Sequence, residues 1–223
     1  MQERDIEKLI NKRISTRGFL DKPVSQADLE KLMQLATRAP SWKNAQSYKL
    51  VFLTGDKKDQ LLAEFKTEIE KRTEPRPHYD YETSHPSSIK KRMFKLGMDL
   101  YSHMGIDRKD KEGREAHFMR NYEAFGAPVV GFFYIPQALG AWTLMDLGIL
   151  IGYLSLVAEG MGMATCFQAS LAVYPDIVDR YTNMEDEGMK MIVGMSLGYA
   201  DPNDQNNSFY SSRVPLEDVM QVL

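Results

Sequence analysis

The chain has 223 residues, of which 43% are hydrophobic and 26% are charged, and its formal net charge is -3. This is the composition of a soluble globular protein with enough length for a sizeable core, and it argues against disorder and collagen. The single cysteine, Cys166, excludes an intramolecular disulfide and a multi-cysteine zinc site, and the four histidines lack metal-ligand spacing, so no metal site is expected.

The hydrophobic pattern predicts alternating helices and strands along the chain. Helices are predicted over 2–13, 25–39, 57–72, 88–104, 108–124, 138–160 and 175–181, with a short one from Pro215. Strands are predicted over 48–53, 128–135, 163–167 and 189–199. Ser25 and Asp28 form a capping box at the second helix, and Pro40 ends it. We expect an α+β fold with a small sheet between helices, and neither GxGxxG nor a P-loop is present.

The helix predicted over 138–160 is apolar on all sides, with Asp146 and Glu159 as its only charges. Its longest apolar stretch, 147–158, is shorter than the roughly 20 residues that a membrane span requires. It is therefore predicted to be a buried helix, whose complete cover could need a second subunit. The charged N-terminus lacks the apolar core of a signal peptide. A soluble, cytoplasmic protein with no membrane partner is expected.

The segment 73–88 contains three prolines, two histidines and two tyrosines. Long loops in compact domains often form lids or binding segments, so a lid is hypothesised here.

Charged side chains are unevenly distributed. Residues 1–120 carry 25 of the 28 basic groups, whereas residues 121–223 carry only Arg180, Lys190 and Arg213 beside 12 acidic groups. Such asymmetry usually reflects solvated faces, but it makes the three late basic groups candidates for specific roles. Basic segments such as 90–92 lack interleaved aromatic residues, so no nucleic-acid partner is expected.

Two short segments have side chains suited to an anion. Arg13, Ser15 and Arg17 place two guanidinium groups and a hydroxyl within five residues, a combination that suits a phosphate. Arg213, beside the hydroxyls of 211–212, could complete such a site. The alternatives are a solvated surface loop for the first segment and an i,i+4 pair with Glu217 for Arg213.

A third segment, 39–46, lies between a helix and a strand and is rich in hydrogen-bonding side chains. The amides of Asn44 and Gln46 could bind the polar edge of a heteroaromatic ligand, while the alternative is a polar loop after a helix stop. Trp42 suits a core or interface position as well as a stacking platform. Cys166 lies in an apolar setting that raises a thiol pKa, so it is expected to be inert.

In this order, these segments resemble the FMN-dependent nitroreductase family, and the middle of the chain resembles its nitrobenzoate-reductase-like branch. The matching segments are 13–17, 38–46, 105–110, 120–122, 125–128, 146–148, 156–158, 160–162, 197–201 and 212–216. Two positions depart from the family pattern. Gln46-Ser47-Tyr48 stands where Gln-Pro-Trp is usual, and Ser211 stands where several relatives have a basic residue.

The resemblance implies a single FMN-binding domain over 1–223, with a small mixed β-sheet packed between helices and a helical and lid excursion at about 66–124. It also implies a homodimer with the long central helix at its interface and two FMN molecules bound there.

The family pattern also implies roles for individual residues. Arg13, Ser15 and Arg17 would hold the FMN phosphate and ribityl chain, and Arg213 would join them on the phosphate. Pro40, Ser41, Asn44 and Gln46 would approach the flavin from the other subunit. Asn121 would face the pyrimidine edge, and the backbone around Phe167, Gln168 and Ala169 would face flavin N5. No residue is assigned a catalytic acid or base role.

The implied activity is ping-pong reduction of nitroaromatics or quinones, with NADH or NADPH as reductant and a small oxidised aromatic compound as acceptor. One alternative is a flavin enzyme of the same fold with other chemistry, such as reductive dehalogenation or ene reduction. Another is a non-catalytic flavin-binding or redox-sensing module.

Overall fold

The centre of the fold is a four-stranded sheet, seen in a computed structural model that describes residues 3–80, 82 and 84–223. In the order β1-β2-β4-β3, the strands are β1 Lys49–Thr54, β2 Val129–Pro136, β4 Met189–Gly198 and β3 Ala164–Gln168. The α+β class is confirmed. The expected mixed sheet is wrong, because all three strand pairs are antiparallel and the parallel pairing among the described residues is a single bridge between Ser15 and Thr165.

The described residues form seven α-helices close to the predicted ones: α1 Glu3–Lys12, α2 Gln26–Ala36, α3 Gly55–Glu70, α4 Ser87–His103, α5 Lys111–Met119, α6 Ala141–Gly160 and α7 Pro175–Thr182. The helix predicted over 108–124 ends early, at Met119, and the chain continues in 3₁₀ turns in which Ala124 and Phe125 have φ of 48° and 55°. The predicted C-terminal helix is reduced to one 3₁₀ turn, Leu216–Asp218.

Strand β2 explains how the core is divided. Val130, Phe132 and Tyr134 face a cluster with α3 and α7, which contains Phe65, Tyr174 and Val178. Val129, Phe133 and Ile135 face a second cluster with α2 and α6, which contains Leu32, Leu150 and Leu154. Successive side chains of a strand point to opposite faces, so a strand covered on both faces is apolar throughout. This accounts for the continuous hydrophobic run over 128–135.

The described part of the chain covers helix α6 on one side only. Leu147, Leu150 and Leu154 are buried against α2 and the sheet, whereas Trp142 and Tyr153 are 62% and 43% exposed on the other side. The predicted all-round burial is therefore not reached in a single chain. By length and composition, α6 could also span a membrane, and it is the one such helix among the described residues. The packing of Leu147, Leu150 and Leu154 in the second cluster shows that one side of α6 belongs to the core of the domain.

Helix α4 extends away from this core. All its residues are exposed or half-buried, and its apolar side chains Met93, Phe94 and Leu96 are 55%, 63% and 44% exposed.

The segment that leads into α4 is tied to the body of the protein at its start. Tyr174 Oη donates to the Thr73 carbonyl at 2.6 Å, and Arg76 pairs with Asp176 at 2.6 Å. The backbone N–H of Met191 donates to His78 Nδ1 at 2.9 Å. Tyr81 and Thr83 lie outside the described residues. The lid hypothesis for 73–88 thus remains a prediction. Because the stretch before Tyr79 is anchored, only the part of the segment after it would be free to move.

Candidate functional site

The structure brings together four predicted site residues from the two ends of the chain. Arg13, Ser15, Arg17 and Arg213 line one cleft of about 360 Å³, which we call the arginine cleft. Its remaining lining residues are Ile10, Asn11, Ile14, Leu96, Phe209, Tyr210 and Ser211. The cleft therefore has a basic wall and an apolar wall, to which α4 contributes Leu96.

The early wall of the arginine cleft is fixed by the sheet. After α1 ends at Lys12, the chain runs beside β3, where Ser15 bridges Thr165 and the N–H of Thr16 donates to the Thr165 carbonyl at 3.0 Å. Thr16 is buried, while its neighbours Ser15 and Arg17 remain accessible. This alternation turns the chemically active side chains outwards, as expected for an extended segment.

The arginine cleft carries positive charge from three guanidinium groups. Among the described residues, no carboxylate forms an ion pair with Arg13, Arg17 or Arg213. Arg17 Nη1 donates to the Ser15 carbonyl at 3.3 Å, and Arg213 Nη1 donates to Ser211 Oγ at 2.8 Å. The alternative pair between Arg213 and Glu217 is therefore not formed. Guanidinium groups gathered without a counter-ion are suited to a ligand that carries negative charge.

The polar segment 40–46 lies elsewhere, beside the N-terminal half of α6. The Trp42 N–H donates to Asp146 Oδ1 at 2.9 Å, and the Gln46 N–H donates to Ser41 Oγ at 3.1 Å. Asn44 and Gln46 have φ of 57° and 49°, so the loop is tightly curled and both side chains are exposed. Pro40 is exposed as well.

Trp42 belongs to the surface of this loop and not to the core. It is 51% exposed and stacks on Trp142, with ring centroids 6.2 Å apart and an interplanar angle of 21°. Behind it, burial and the nearby Asp146 carboxylate raise the pKa of Tyr48. Two exposed tryptophans beside the open face of α6 are typical of an interface, where aromatic residues are enriched.

The end of β3 forms a third group. Gln168 is buried, donates from Nε2 to the Asn121 carbonyl at 2.8 Å, and accepts a hydrogen bond from Ser196. The structure thus brings Asn121 beside the predicted segment 167–169. Asn121 Nδ2 donates to the Phe118 carbonyl at 2.9 Å. The half-buried Phe167 ring packs on the Phe133 ring, with the ring centroids 5.8 Å apart. Exposed Ala169 begins the following 3₁₀ turn.

Sequence reasoning missed residues that hold the arginine cleft from behind. Asn207 accepts a hydrogen bond from the Arg17 N–H at 2.9 Å, and Arg120 donates to the Arg17 carbonyl at 2.8 Å. Asp204 is ion-paired to Arg120 at 2.6 Å. Asp204 and Asn207 lie in a polar loop without a periodic pattern, and Arg120 lies in the segment predicted as a helix over 108–124. The signal that could have indicated them is Gly18, whose lack of a side chain lets Asp204 lie close to the backbone.

The structure agrees with an inert Cys166. Burial raises the pKa of the Cys166 thiol to about 11, an effect that the charge of Arg17 offsets only in part. A thiol that stays protonated near neutral pH is a poor nucleophile. Among the described residues, no group of three metal-ligating side chains is found. A larger cleft of about 650 Å³, between α4 and α5, contains Arg108 and Arg114 but no predicted site residue.

Together, the fold and the arginine cleft define an α+β protein suited to a phosphorylated ligand. The chain belongs to the Nitroreductase family, whose model matches residues 10–199. The predicted resemblance, the fold and the class of oxidoreductase are thereby confirmed.

Individual relatives are similar to this protein over nearly the whole chain. The chain is 30% identical to a 4-nitrobenzoate reductase of Pseudomonas putida, over 96% of this chain and 92% of that protein. Among solved structures, it is similar to the FMN and NADPH-dependent nitroreductase NfnB from Sphigopyxis sp. strain HMH, with a TM-score of 0.93, 30% identity and 98% coverage of both chains. It is also similar to the FMN-dependent nitroreductase NfnB from Mycobacterium smegmatis in complex with NADPH, with a TM-score of 0.91, 26% identity and coverage of 99% and 98%.

Proposed function

We propose that this protein is an FMN-dependent reductase that uses NAD(P)H to reduce nitroaromatic compounds, with quinones as further acceptors. The observation that carries the proposal is the arginine cleft, assembled from residues 13–17 and Arg213 in a chain of the Nitroreductase family. The chain also resembles structures described as FMN and NADPH-dependent nitroreductases. FMN, when bound, would supply the redox chemistry, accepting hydride from the nicotinamide and passing electrons to the acceptor.

The residues of the arginine cleft fit the FMN phosphate. A phosphate monoester carries close to two negative charges near neutral pH and offers three acceptor oxygens. Arg13, Arg17 and Arg213 supply charge-assisted donors that no carboxylate in the described part of the chain pairs with, and Ser15 supplies a hydroxyl. In this proposal, these four residues bind and orient the cofactor. The flavin ring would then lie at the end of β3, near Asn121 and the segment 167–169. None of these side chains needs to act as a catalytic acid or base.

The proposal includes a homodimer, because the site residues fall at opposite ends of α6. The segment 40–46 contacts Asp146, whereas α1, which leads into the arginine cleft, pairs Lys12 with Glu159 at 2.7 Å. Thirteen helical residues separate Asp146 from Glu159, a rise of about 20 Å. Two copies packed with their α6 helices antiparallel would bring Asn44 and Gln46 of one protomer to the arginine cleft of the other.

The open face of α6 supports this arrangement. Trp142, Met145 and Tyr153 recur at helical spacing, and all three are more than two-fifths exposed in the protomer. Such a contiguous apolar stripe is characteristic of a face that another subunit covers. The exposed apolar side chains of α4 next to the cleft suit an aromatic acceptor. We place the enzyme in the cytoplasm. We also propose that residues 1–223 form a single domain, in which residues 66–124 are a helical and lid excursion.

The experiment that tests the function is an absorbance spectrum of the purified protein before and after anaerobic addition of NADPH or NADH. A flavin spectrum that bleaches within the turnover time supports a catalytic enzyme. A yellow protein that the nicotinamides do not bleach would instead be a flavin-binding or redox-sensing module, and a colourless protein that never binds FMN refutes the proposal.

Acceptors are then compared in steady state, using 4-nitrobenzoate, nitrobenzene, a quinone, a halophenol and an enone. Preferential turnover of the nitroarenes supports the nitroreductase activity. A preference for the halophenol or the enone would assign the protein to the alternative chemistry on the same fold. Arg213→Ala should weaken FMN retention. The matched control is Arg180→Ala, an arginine that pairs with Glu64 and lies outside the arginine cleft.

A further inference from the structure

The backbone of Arg17 is held by side chains from distant segments. Its N–H donates to Asn207 Oδ1 at 2.9 Å, and its carbonyl accepts from Arg120 Nη2 at 2.8 Å. Both polar groups of one peptide-bonded residue are thus satisfied by side chains, and not by a helix or a sheet. The direction in which the Arg17 side chain points therefore depends on these two contacts.

Asn207 also binds the backbone of the next residue, Gly18. Its Nδ2 donates to the Gly18 carbonyl at 2.7 Å and to the Asp201 carbonyl at 2.9 Å, so one amide group makes three hydrogen bonds to backbone. A second backbone bond joins the Asp201 N–H to the Gly18 carbonyl at 3.0 Å. The loop 201–208 and the segment 15–18 are consequently locked together.

Arg120 is in turn oriented by Asp204. The same Nη2 that contacts Arg17 donates to Asp204 Oδ2 at 2.6 Å, and the Asp204 carboxylate also accepts from the backbone and side chain of Asn206. Asn206 is fully buried and accepts a hydrogen bond from His117 Nε2 at 2.9 Å. The contact to Arg17 is thus the outer end of a connected polar network that reaches into the buried part of α5.

We infer that Asn207 and Arg120 are positioning residues for phosphate binding, which hold the backbone of Arg17 so that its guanidinium group faces the arginine cleft. This inference rests on the proposed function, because it takes the phosphate of FMN as the ligand of that cleft. Pre-organised groups bind more tightly because the cost of ordering them is met during folding. The two residues should therefore govern the part of the affinity that comes from the phosphate.

The test compares FMN with riboflavin, which has the same ring and ribityl chain but no phosphate. Full-length protein is freed of flavin by dialysis against a chaotropic salt, and both dissociation constants are measured from the quenching of flavin fluorescence. The variants are Asn207→Ala and Arg120→Met. The matched control is Asn203→Ala, an exposed asparagine of the same loop that contributes a backbone N–H to Asp201.

We expect each variant to lower the ratio of riboflavin to FMN dissociation constants by roughly tenfold, since a misplacement of about 1 Å is enough for effects of this size. The riboflavin constant should change less than about twofold, the size expected when the ring subsite is intact. The Asn203→Ala control should retain the wild-type ratio.

Three other results are informative. If both constants rise equally, the residues serve the fold in general, and the positioning role is overturned. If the wild type prefers FMN and the variants keep that preference, the inference fails while the proposed function stands. If the wild type binds both flavins equally, the arginine cleft does not hold a phosphate, and the proposed function fails with the inference. Circular dichroism at the titration temperature establishes that each variant is folded.

Discussion

Gly152 offers a direct test of the proposed α6 interface, because it separates the stability of the protomer from that of the dimer. It lies near the middle of α6, it is exposed, and a Cβ at this position would meet nothing within 4 Å. A side chain is therefore accommodated in the isolated chain. Replacing a glycine inside a helix also removes a helix penalty of about 1 kcal/mol.

The variant Gly152→Arg should consequently leave the isolated protomer folded, with an intrinsic free energy of unfolding higher by up to about 1 kcal/mol. In the dimer, the effect is opposite. An unpaired charge in a buried interface costs about 3–5 kcal/mol, which corresponds to roughly two to three and a half orders of magnitude in dissociation constant. Because antiparallel α6 helices would place the two Gly152 positions close together, repulsion between the two arginines adds to this cost.

The assay is sedimentation velocity at micromolar concentration, combined with the ratio of flavin to protein absorbance. Gly152→Arg should sediment as a folded monomer with little bound FMN, since Asn44 and Gln46 would no longer reach the partner's cleft. The control is Gln60→Arg, which adds the same charge to the exposed side of α3 and should remain dimeric and yellow. A Gly152→Arg protein that stays dimeric with full flavin content would refute the assignment of α6 to the interface.

Three further outcomes are expected. Gly18→Ala should destabilise the protein by about 1–3 kcal/mol in denaturant titrations, because the new Cβ would lie 2.2 Å from Asp204 Oδ2. Burial acts to raise the pKa of Asp204, but hydrogen bonds from Arg120 and Asn206 outweigh it and lower the pKa below its usual 3.8. The advantage of wild type over Asp204→Asn should therefore be complete above about pH 5 and vanish as the pH falls through the lowered pKa, as measured by acid unfolding. Cys166→Ser should leave NAD(P)H oxidation unchanged, and native protein should resist iodoacetamide at pH 8, because the pKa of the thiol is raised to about 11.

Local features were predictable because their physics is local. The predicted N-cap of α2 is present, with the Asp28 N–H donating to Ser25 Oγ at 3.0 Å and Ser25 Oγ donating to Asp28 Oδ2 at 2.7 Å. The continuous apolar run of β2 indicates a strand covered on both faces, and the structure confirms this. The direction of strand pairing, by contrast, is not encoded in an apolar run, which is why the mixed sheet was wrong. The 3₁₀ turns after α5 contain positive φ at Ala124 and Phe125, a backbone conformation that these residue types do not indicate.

The candidate site was predictable in part. The composition of 13–17 indicates an anion site, but its union with Arg213 came from the family resemblance, since no periodicity links positions 200 residues apart. Asn207 and Arg120 could not be found in this way. Their contacts to Arg17 cross 190 and 103 residues of sequence, and polar side chains in a polar segment look the same whether they bind water or backbone.

The assembly of the arginine cleft from both ends of the chain has a consequence for biosynthesis. Domains fold as their sequence emerges from the ribosome, and early elements can pack before the chain is complete. Here the early wall, with Arg13 and Arg17, is made well before loop 201–208 and Arg213. A nascent chain that has not reached these residues lacks both the clamp on Arg17 and the last guanidinium group. Under the proposed function, flavin loading therefore requires a chain that has been synthesised past Arg213.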